Sequence, residues 1–279
     1  MTGMTGTTHG ADDGGGPAPV IGLFDSGWGG LSVAMTVRAA APHADLLYVG
    51  DHAHCPYGGR AEAAIVARAL ALTGWLAERG ADIAVIACNT ASALALTAVR
   101  EAHPGRAVVG VVPAVKPAAR MTRTGVIAVL ATPATAGSAY LAGLTRDHAA
   151  GVRTLIVAAP GLVELVESGV TGGEEPERAI RALLAAPLAA GTDAIVLGCT
   201  HYPFLRGAVA AVAGPGVAVI DSGLAIGRRV RDLLGDAAGD RGGGSPGSLR
   251  LCTTGDPASV APVAARLLGE RLPVEAIEC

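Results

Sequence analysis

Lysine is almost missing from this chain. The only one, Lys116, sits between prolines in PAVKPAA, a context that reads as a linker, so Schiff-base chemistry has a single and badly placed candidate. Charge is also sparse: 16% of residues are charged, the net charge is −3, and the basic residues form no patch beyond Arg228, Arg229 and Arg231, spaced to line one exposed helix face. No nucleic acid is expected as a partner. The five cysteines lack disulfide spacing and contain no CxxC pair, which argues against a dithiol redox protein and for free thiols in a reducing, cytoplasmic setting. A mean hydropathy of +0.46 invites a membrane reading. The uncharged stretch 124–145 is nevertheless broken by Gly125, Pro133, Gly137 and Gly143, where a spanning helix needs roughly 20 apolar residues in a row. Residues 1–18 have neither a basic start nor an apolar core. They are expected to be a flexible tail rather than a secretory signal.

What the chain does have is length, with 279 residues of which 51% are hydrophobic, enough for two cores. Apolar strand-like runs at 20–24, 46–49, 83–87, 108–112, 126–130, 154–158, 194–197 and 217–220 alternate with Ala-rich stretches such as 61–79 and 175–188. That alternation is the βαβ pattern of parallel sheets flanked by helices. The expected fold is α/β, with two similar domains of mostly parallel strands arranged pseudo-symmetrically about a cleft. Residues 19–113 with 222–279 would form the first domain and 114–221 the second, joined at 112–117 and 221–223. The Gly/Ser/Pro stretch 242–247 reads as a loop.

The two-domain expectation rests on an internal repeat. GADIAVIACNT at 80–90 and GTDAIVLGCTH at 191–201 align Gly80 with Gly191, Asp82 with Asp193 and Cys88 with Cys199, each 111 positions apart. In both copies an apolar run stops at a cysteine followed by small polar residues, as where a strand gives way to a helix N-terminus. Open α/β sheets place their ligands at that end, and a helix N-terminus favours a thiolate. Two equivalent strands therefore each present one thiol.

DSGWGGL at 25–31, PYG at 56–58, ACNTAS at 87–92, LATPAT at 130–135 and GCTHYP at 198–203 together resemble the ordered motifs of glutamate racemases, in the cofactor-independent aspartate/glutamate racemase superfamily. The resemblance runs from about Ile21 to about Leu234. It implies an isomerase that interconverts L- and D-glutamate without a cofactor, supplying D-glutamate for peptidoglycan and cell shape, and a homodimer is expected. The chemistry of the residues agrees. Racemisation takes a proton from one face of the α-carbon and returns one on the other. Two thiols with an ordinary pKa of about 8.5 can be base and acid in turn.

By the resemblance, Cys88 and Cys199 are the acid/base pair, with Asp25 assisting at Cys88 and His201 at Cys199. An imidazole pairs readily with a thiolate, whereas a carboxylate raises a neighbouring thiol's pKa, so the two sides are expected to work unequally. Glu167, in LVELVESG, matches an acidic residue the family places near the site, although a solvated helix residue reads equally well. Because the motifs contain no lysine or arginine, substrate carboxylates would rest on backbone NH groups and hydroxyls. The matched donors are Ser26, Asn89, Thr90, Thr132, Thr135 and Thr200, with Tyr57 and Gly58 at the side-chain carboxylate and Asp25 and His201 also at the substrate.

The other conspicuous residues read blandly. His52, His54 and Cys55 could imitate metal ligands but lack a fourth, so no metal is expected. Cys55 is expected at the pocket wall without a catalytic role, and Cys252 and Cys279 are incidental. Two positions depart from the pattern: Trp28 is bulkier than usual, and Ala159 stands where a cysteine is often found. Three rival functions stay open: a racemase of aspartate or another acidic amino acid, a non-catalytic partner-binding protein on the same fold, and a dithiol redox protein.

Overall fold

Apolar runs short enough for strands and Ala-rich stretches long enough for helices alternate along the chain, and a computed structural model describes the outcome over residues 18–238 and 245–279. The expected tail, except for its last residue, and part of the 242–247 loop lie outside the described residues. The order opens with β1 (Val20–Asp25), α1 (Leu31–Ala40), β2 (Asp45–Gly50), α2 (Glu62–Glu78), β3 (Ile83–Ile86), α3 (Asn89–Ala102) and β4 (Ala107–Gly110). It continues through α4 (Val115–Met121), β5 (Val126–Ala131), α5 (Pro133–Ala136), α6 (Ala139–His148), β6 (Arg153–Ala158), α7 (Leu162–Glu167), α8 (Glu174–Ala189), β7 (Ala194–Leu197), α9 (Arg206–Ala213) and β8 (Ala218–Ile220). It closes with α10 (Gly223–Leu234), β9 (Leu249–Thr253), α11 (Pro257–Leu268) and β10 (Val274–Ala276).

The strands form two sheets, ordered β10-β9-β2-β1-β3-β4 and β6-β5-β7-β8. Every pairing among the described residues is parallel. Parallel strands covered on both faces read as unbroken apolar runs, and β3 and β7 are buried at all four positions. Each sheet carries a separate apolar cluster on either face, one around Leu23 and one around Phe24 in the first, one around Leu130 and one around Val129 in the second. These helix-sheet-helix layers fix the strand ends rigidly.

The sheets are related by their wiring. In the first, β1 is followed by β2 on one side and β3 on the other; in the second, β5 is followed by β6 and then β7 in the same manner. Each reversal opens a crevice at the carboxyl ends of two neighbouring strands, where such sheets bind ligands. The register is also shared: Ala87 N–H donates to Phe24 O at 2.8 Å and Gly198 N–H to Leu130 O at 2.7 Å. Cys88 and Cys199 follow these paired residues directly. Their equivalence is thus three-dimensional as well as sequential.

Two sequence expectations need correction. Strands β9 and β10 were not among the expected runs, because only one face of β9 is continuously apolar. Arg250 on it is exposed and pairs with Glu275 of β10 at 2.9 Å. The expected linker 112–117 is partly helix. Val115 opens α4, and Pro117 falls in its first turn, where no backbone N–H is required. Lys116 is exposed on that turn. The two chain crossings nonetheless run side by side, since the Ser222 hydroxyl donates to Val112 O. Arg228, Arg229 and Arg231 lie on the exposed face of α10 as expected. Among the described residues no helix is long and apolar enough to cross a membrane.

Candidate active site

Both crevices open into one cavity. Cys88 and Cys199 line it together with Asp25, Ser26, Tyr57, Gly58, Asn89, Thr90, Thr132, Thr200 and His201, and with Pro56 and Val163. Its volume of about 20 Å³ suits roughly one water molecule. Asp25 ends β1, and Cys88 leaves β3 as the N-cap of α3. Cys199 follows β7, ahead of the single turn Tyr202–Leu205 that leads into α9.

On the Cys88 side the partner is Asp25, whose carboxylate is fully buried. Its Oδ1 accepts from Ser26 N–H at 2.7 Å, and its Oδ2 from Gly30 N–H at 2.6 Å and the Thr200 hydroxyl at 3.0 Å. Burial pushes the Asp25 carboxyl up, although His201 and the hydrogen bonds pull against it. Burial and then the Asp25 carboxylate push the Cys88 thiol well above the ordinary range, opposed by a backbone N–H from Ala91. Both groups therefore favour their neutral forms in the closed cavity.

On the Cys199 side the partner is an imidazole. Cys199 Sγ lies 3.7 Å from His201 Nδ1, and His201 Nε2 lies 2.6 Å from Glu167 Oε1. Trp28 N–H also donates to that oxygen, at 2.6 Å. Burial disfavours charge on His201, but its contacts with Cys199 and Glu167 outweigh burial and raise its pKa well above the usual imidazole value. Burial likewise opposes ionised Glu167, yet the hydrogen bond with His201 and the His52 ring 3.6 Å away hold its carboxyl far below the usual range. Glu167 ends α7 and stands behind His201 rather than on the cavity wall. It is not a solvated helix residue.

Glycines in DSGWGGL let the two halves meet this closely. A Cβ at Gly27 would collide with the Glu167 carboxylate, and one at Gly29 with the His201 ring. The Ser32 hydroxyl donates to Thr200 O at 2.8 Å, adding to the ties of Trp28 with Glu167 and of Thr200 with Asp25 across the same seam.

The polar residues expected at the substrate differ in how far they are already engaged. Thr132 caps α5, accepting from Thr135 N–H at 3.3 Å, and its hydroxyl lies 3.1 Å from that of Thr135 and 3.5 Å from that of Thr90. Thr135 braces Thr132 from outside the cavity wall. Asn89 differs, because its buried Nδ2 has no hydrogen-bond partner among the described residues. The Tyr57 hydroxyl is already engaged, donating to Asp51 Oδ2 at 2.6 Å, so this loop offers the cavity Gly58 and backbone.

Asp51 carries no sequence expectation and is central to that loop. It is fully buried and also takes Arg68 Nη2 at 2.9 Å and the Thr254 hydroxyl at 2.7 Å. Burial alone would raise its pKa, but the Arg68, Tyr57 and Thr254 hydrogen bonds hold it at about 2. Its position in GDHAHCPYG just ahead of PYG was the available signal. Trp28 does not reach the cavity wall: it is buried against Tyr48, with ring centroids 5.8 Å apart, and donates Nε1–H to Val260 O of α11 at 2.9 Å. Cys55 is half-buried, and the wall beside it is formed by Pro56 and Tyr57 instead. Cys252 is buried in the first sheet and Cys279 is exposed. Among the described residues no cluster of three or more His, Cys, Asp or Glu could hold a metal.

Two thiols presented by equivalent strand ends of a two-sheet parallel α/β fold thus line one cavity, one beside a buried carboxylate and the other beside an imidazole. Residues 32–229 match the family model of Asp/Glu/Hydantoin racemases, and the chain belongs to that family. With glutamate racemases as high-coverage relatives, it is an isomerase, an amino-acid racemase. Similar proteins include a glutamate racemase of Herpetosiphon aurantiacus, 45% identical over 87% of this chain and 95% of the relative. One from Roseiflexus sp. is 43% identical over 92% and 94%. The solved glutamate racemase of Escherichia coli, in complex with L-glutamate and the activator UDP-MurNAc-Ala, superposes with a TM-score of 0.82 at 35% identity, covering 94% of this chain and 98% of that one.

Proposed function

We propose that this racemase interconverts L- and D-glutamate by direct proton transfer between the substrate and two cysteines. The observation that carries the proposal is the pair of thiols from equivalent strand ends lining one cavity, backed on one side by Asp25 and on the other by His201 and Glu167. Cys199 as thiolate takes the α-proton of L-glutamate while the His201 imidazolium stays beside it. The Cys88 thiol then gives its proton to the opposite face. D-glutamate leaves with Cys199 as thiol and Cys88 as thiolate, and the reverse reaction exchanges the roles. The names of the relatives and the L-glutamate in the Escherichia coli structure support the substrate.

In this proposal the Asn89 amide, the hydroxyls of Ser26, Thr90 and Thr132, and the backbone at Tyr57, Gly58 and Thr200 take up the carboxylates, with Thr135 steadying Thr132. A cavity of about 20 Å³ is far below the few hundred Å³ typical of ligand pockets. We therefore also propose that 19–113 with 222–279 and 114–221 move apart as two units about the paired crossings to admit substrate. Small-angle scattering showing the same compact shape with and without glutamate would count against that motion.

Circular dichroism of the purified protein with L-glutamate tests the activity: the signal should decay to zero, with aspartate much slower. In heavy water the first D-glutamate should carry α-deuterium while remaining L-glutamate stays largely unlabelled. Early labelling of L-glutamate would sink the two-cysteine step. Restoration of growth to a D-glutamate auxotroph would test supply for peptidoglycan from the cytoplasm, and sedimentation would test the homodimer.

A further inference from the structure

His52 lies in the stretch GDHAHCPYG, outside every motif that carries the family resemblance. Its side chain is only 7% exposed and its ring packs on Trp28, centroids 4.5 Å apart. Nδ1 sits 2.8 Å from the Thr253 hydroxyl and 3.2 Å from Gly50 O. Nε2 faces Glu167 Oε2 at 3.6 Å and has no closer polar partner among the described residues. The seat is shaped for this ring, since a Cβ at Gly50 would collide with it.

The proton on this imidazole can be placed. The Glu167 carboxylate facing Nε2 can only accept, so a ring proton belongs on Nε2; Thr253 Oγ1, which accepts from Gly255 N–H at 3.0 Å, can still turn its hydroxyl hydrogen to Nδ1 or accept from it. The opposite neutral tautomer would aim a lone pair at the Glu167 carboxylate. The imidazolium carries both protons. In either favourable form Nε2–H points at Oε2. The two carboxylate oxygens are then divided: Oε1 serves Trp28 N–H and His201, both at 2.6 Å, and Oε2 faces His52.

We propose that His52 is a positioning residue for the Cys199 side, closing onto Glu167 Oε2 when substrate is sealed in and so fixing the carboxylate with Oε1 on His201. A carboxylate held by one oxygen can pivot; one held by both cannot, and the orientation of the His201 ring towards Cys199 follows from it. The line Thr253, His52, Glu167, His201, Cys199 thus connects β9 of the first sheet to the thiol of the second.

The inference rests on the proposed assignment of Cys199 to L-glutamate, and its test is separable from that assignment. L- and D-glutamate have equal free energies, so any variant loses kcat/KM equally in both directions, and rates alone cannot locate the defect. Isotope effects can. His52→Asn keeps an amide at the Nδ1 position but is too short to reach Glu167. It should lose about tenfold in kcat/KM, a general acid/base contribution in part. The primary isotope effect should rise with α-deuterated L-glutamate and fall with α-deuterated D-glutamate. His52→Gln, whose amide reaches the Nε2 position, should recover most of the loss and the original isotope effects. Thr253→Val, which removes only the hydroxyl that orients the ring, should shift them in the same direction by less, and serves if His52→Asn does not fold. Unchanged isotope effects in folded His52→Asn and in Thr253→Val would overturn the proposal, as would equal behaviour of the Asn and Gln variants. Failure of the underlying assignment shows elsewhere, as loss of L-glutamate's α-proton to solvent in Cys199→Ala.

Discussion

Cys88 and Cys199 stand at the same point of the same βα unit and have opposite surroundings. Phe24 and Leu130 occupy equivalent positions in the register, so Asp25, the next residue, corresponds to Ala131. The first half therefore has a carboxylate at the strand end where the second has a methyl group. In the second half an imidazole two residues beyond the thiol takes its place, with Glu167 behind it. One side holds a thiol and a carboxyl whose burial favours neutrality; the other holds groups that favour charge. A repeated scaffold can position two acid/base groups symmetrically while their partners divide the labour.

The harshest test of that division removes each thiol. Cys88→Ala and Cys199→Ala should each lower racemisation by at least about a thousandfold, near the upper range for a general acid or base. If the sides are independent, Cys199→Ala still exchanges the α-proton of D-glutamate with heavy water and Cys88→Ala that of L-glutamate, as NMR would report. Exchange of both enantiomers by either variant would break the comparison.

Replacing the partners should cost less and leave opposite signatures. His201→Asn is expected to lose about a hundredfold and Asp25→Asn about tenfold to a hundredfold in kcat/KM. The isotope effect should become larger from L-glutamate in the first and larger from D-glutamate in the second. Glu167→Gln should resemble His201→Asn with roughly a tenfold loss, since it acts through the imidazole.

Acid unfolding sharpens the contrast between the site and the loop beside it. Asp51 has a folded pKa of about 2, below the ordinary carboxyl value of about 3.9. Its stabilisation is present above the unfolded value and is lost as pH falls through about 4 towards 2. Asp51→Asn should lower the melting temperature at pH 7 and flatten its dependence on pH across that window. An unchanged acid limb would remove Asp51 as the loop's anchor. The smallest effects belong to the other thiols: Cys252→Ser should cost a few degrees in melting temperature through burial of a hydroxyl, with turnover retained, and Cys279→Ser should change neither.

The sequence made the parallel α/β alternation and the cysteine repeat visible because buried parallel strands carry unbroken apolar runs and the repeat preserves its spacing. It hid β9 and β10 because Arg250 and Glu275 interrupt the pattern to pair across an edge. The cavity-lining residues sit at strand ends, where local motifs are dense. Glu167 was ambiguous because its partners, Trp28 and His201, are 139 and 34 positions away. His52 read blandly as a metal-ligand mimic and Asp51 carried no expectation for the same reason: each faces groups that only the fold brings near. Trp28, bulkier than the motif pattern, is a core residue reaching α11.

Both thiols are almost wholly sealed, Cys88 5% and Cys199 6% exposed. Under the proposed mechanism, a turnover from L to D leaves the enzyme with its proton on the other sulfur, in a form fitted only to run backwards until solvent resets it while the cavity is open. On that proposal the unliganded protein exists as two species, each competent for one hand of the substrate and set by the product last released. When substrate is abundant enough to outpace that reset, each form should wait for the opposite enantiomer, and the rate near equilibrium should fall as glutamate is raised.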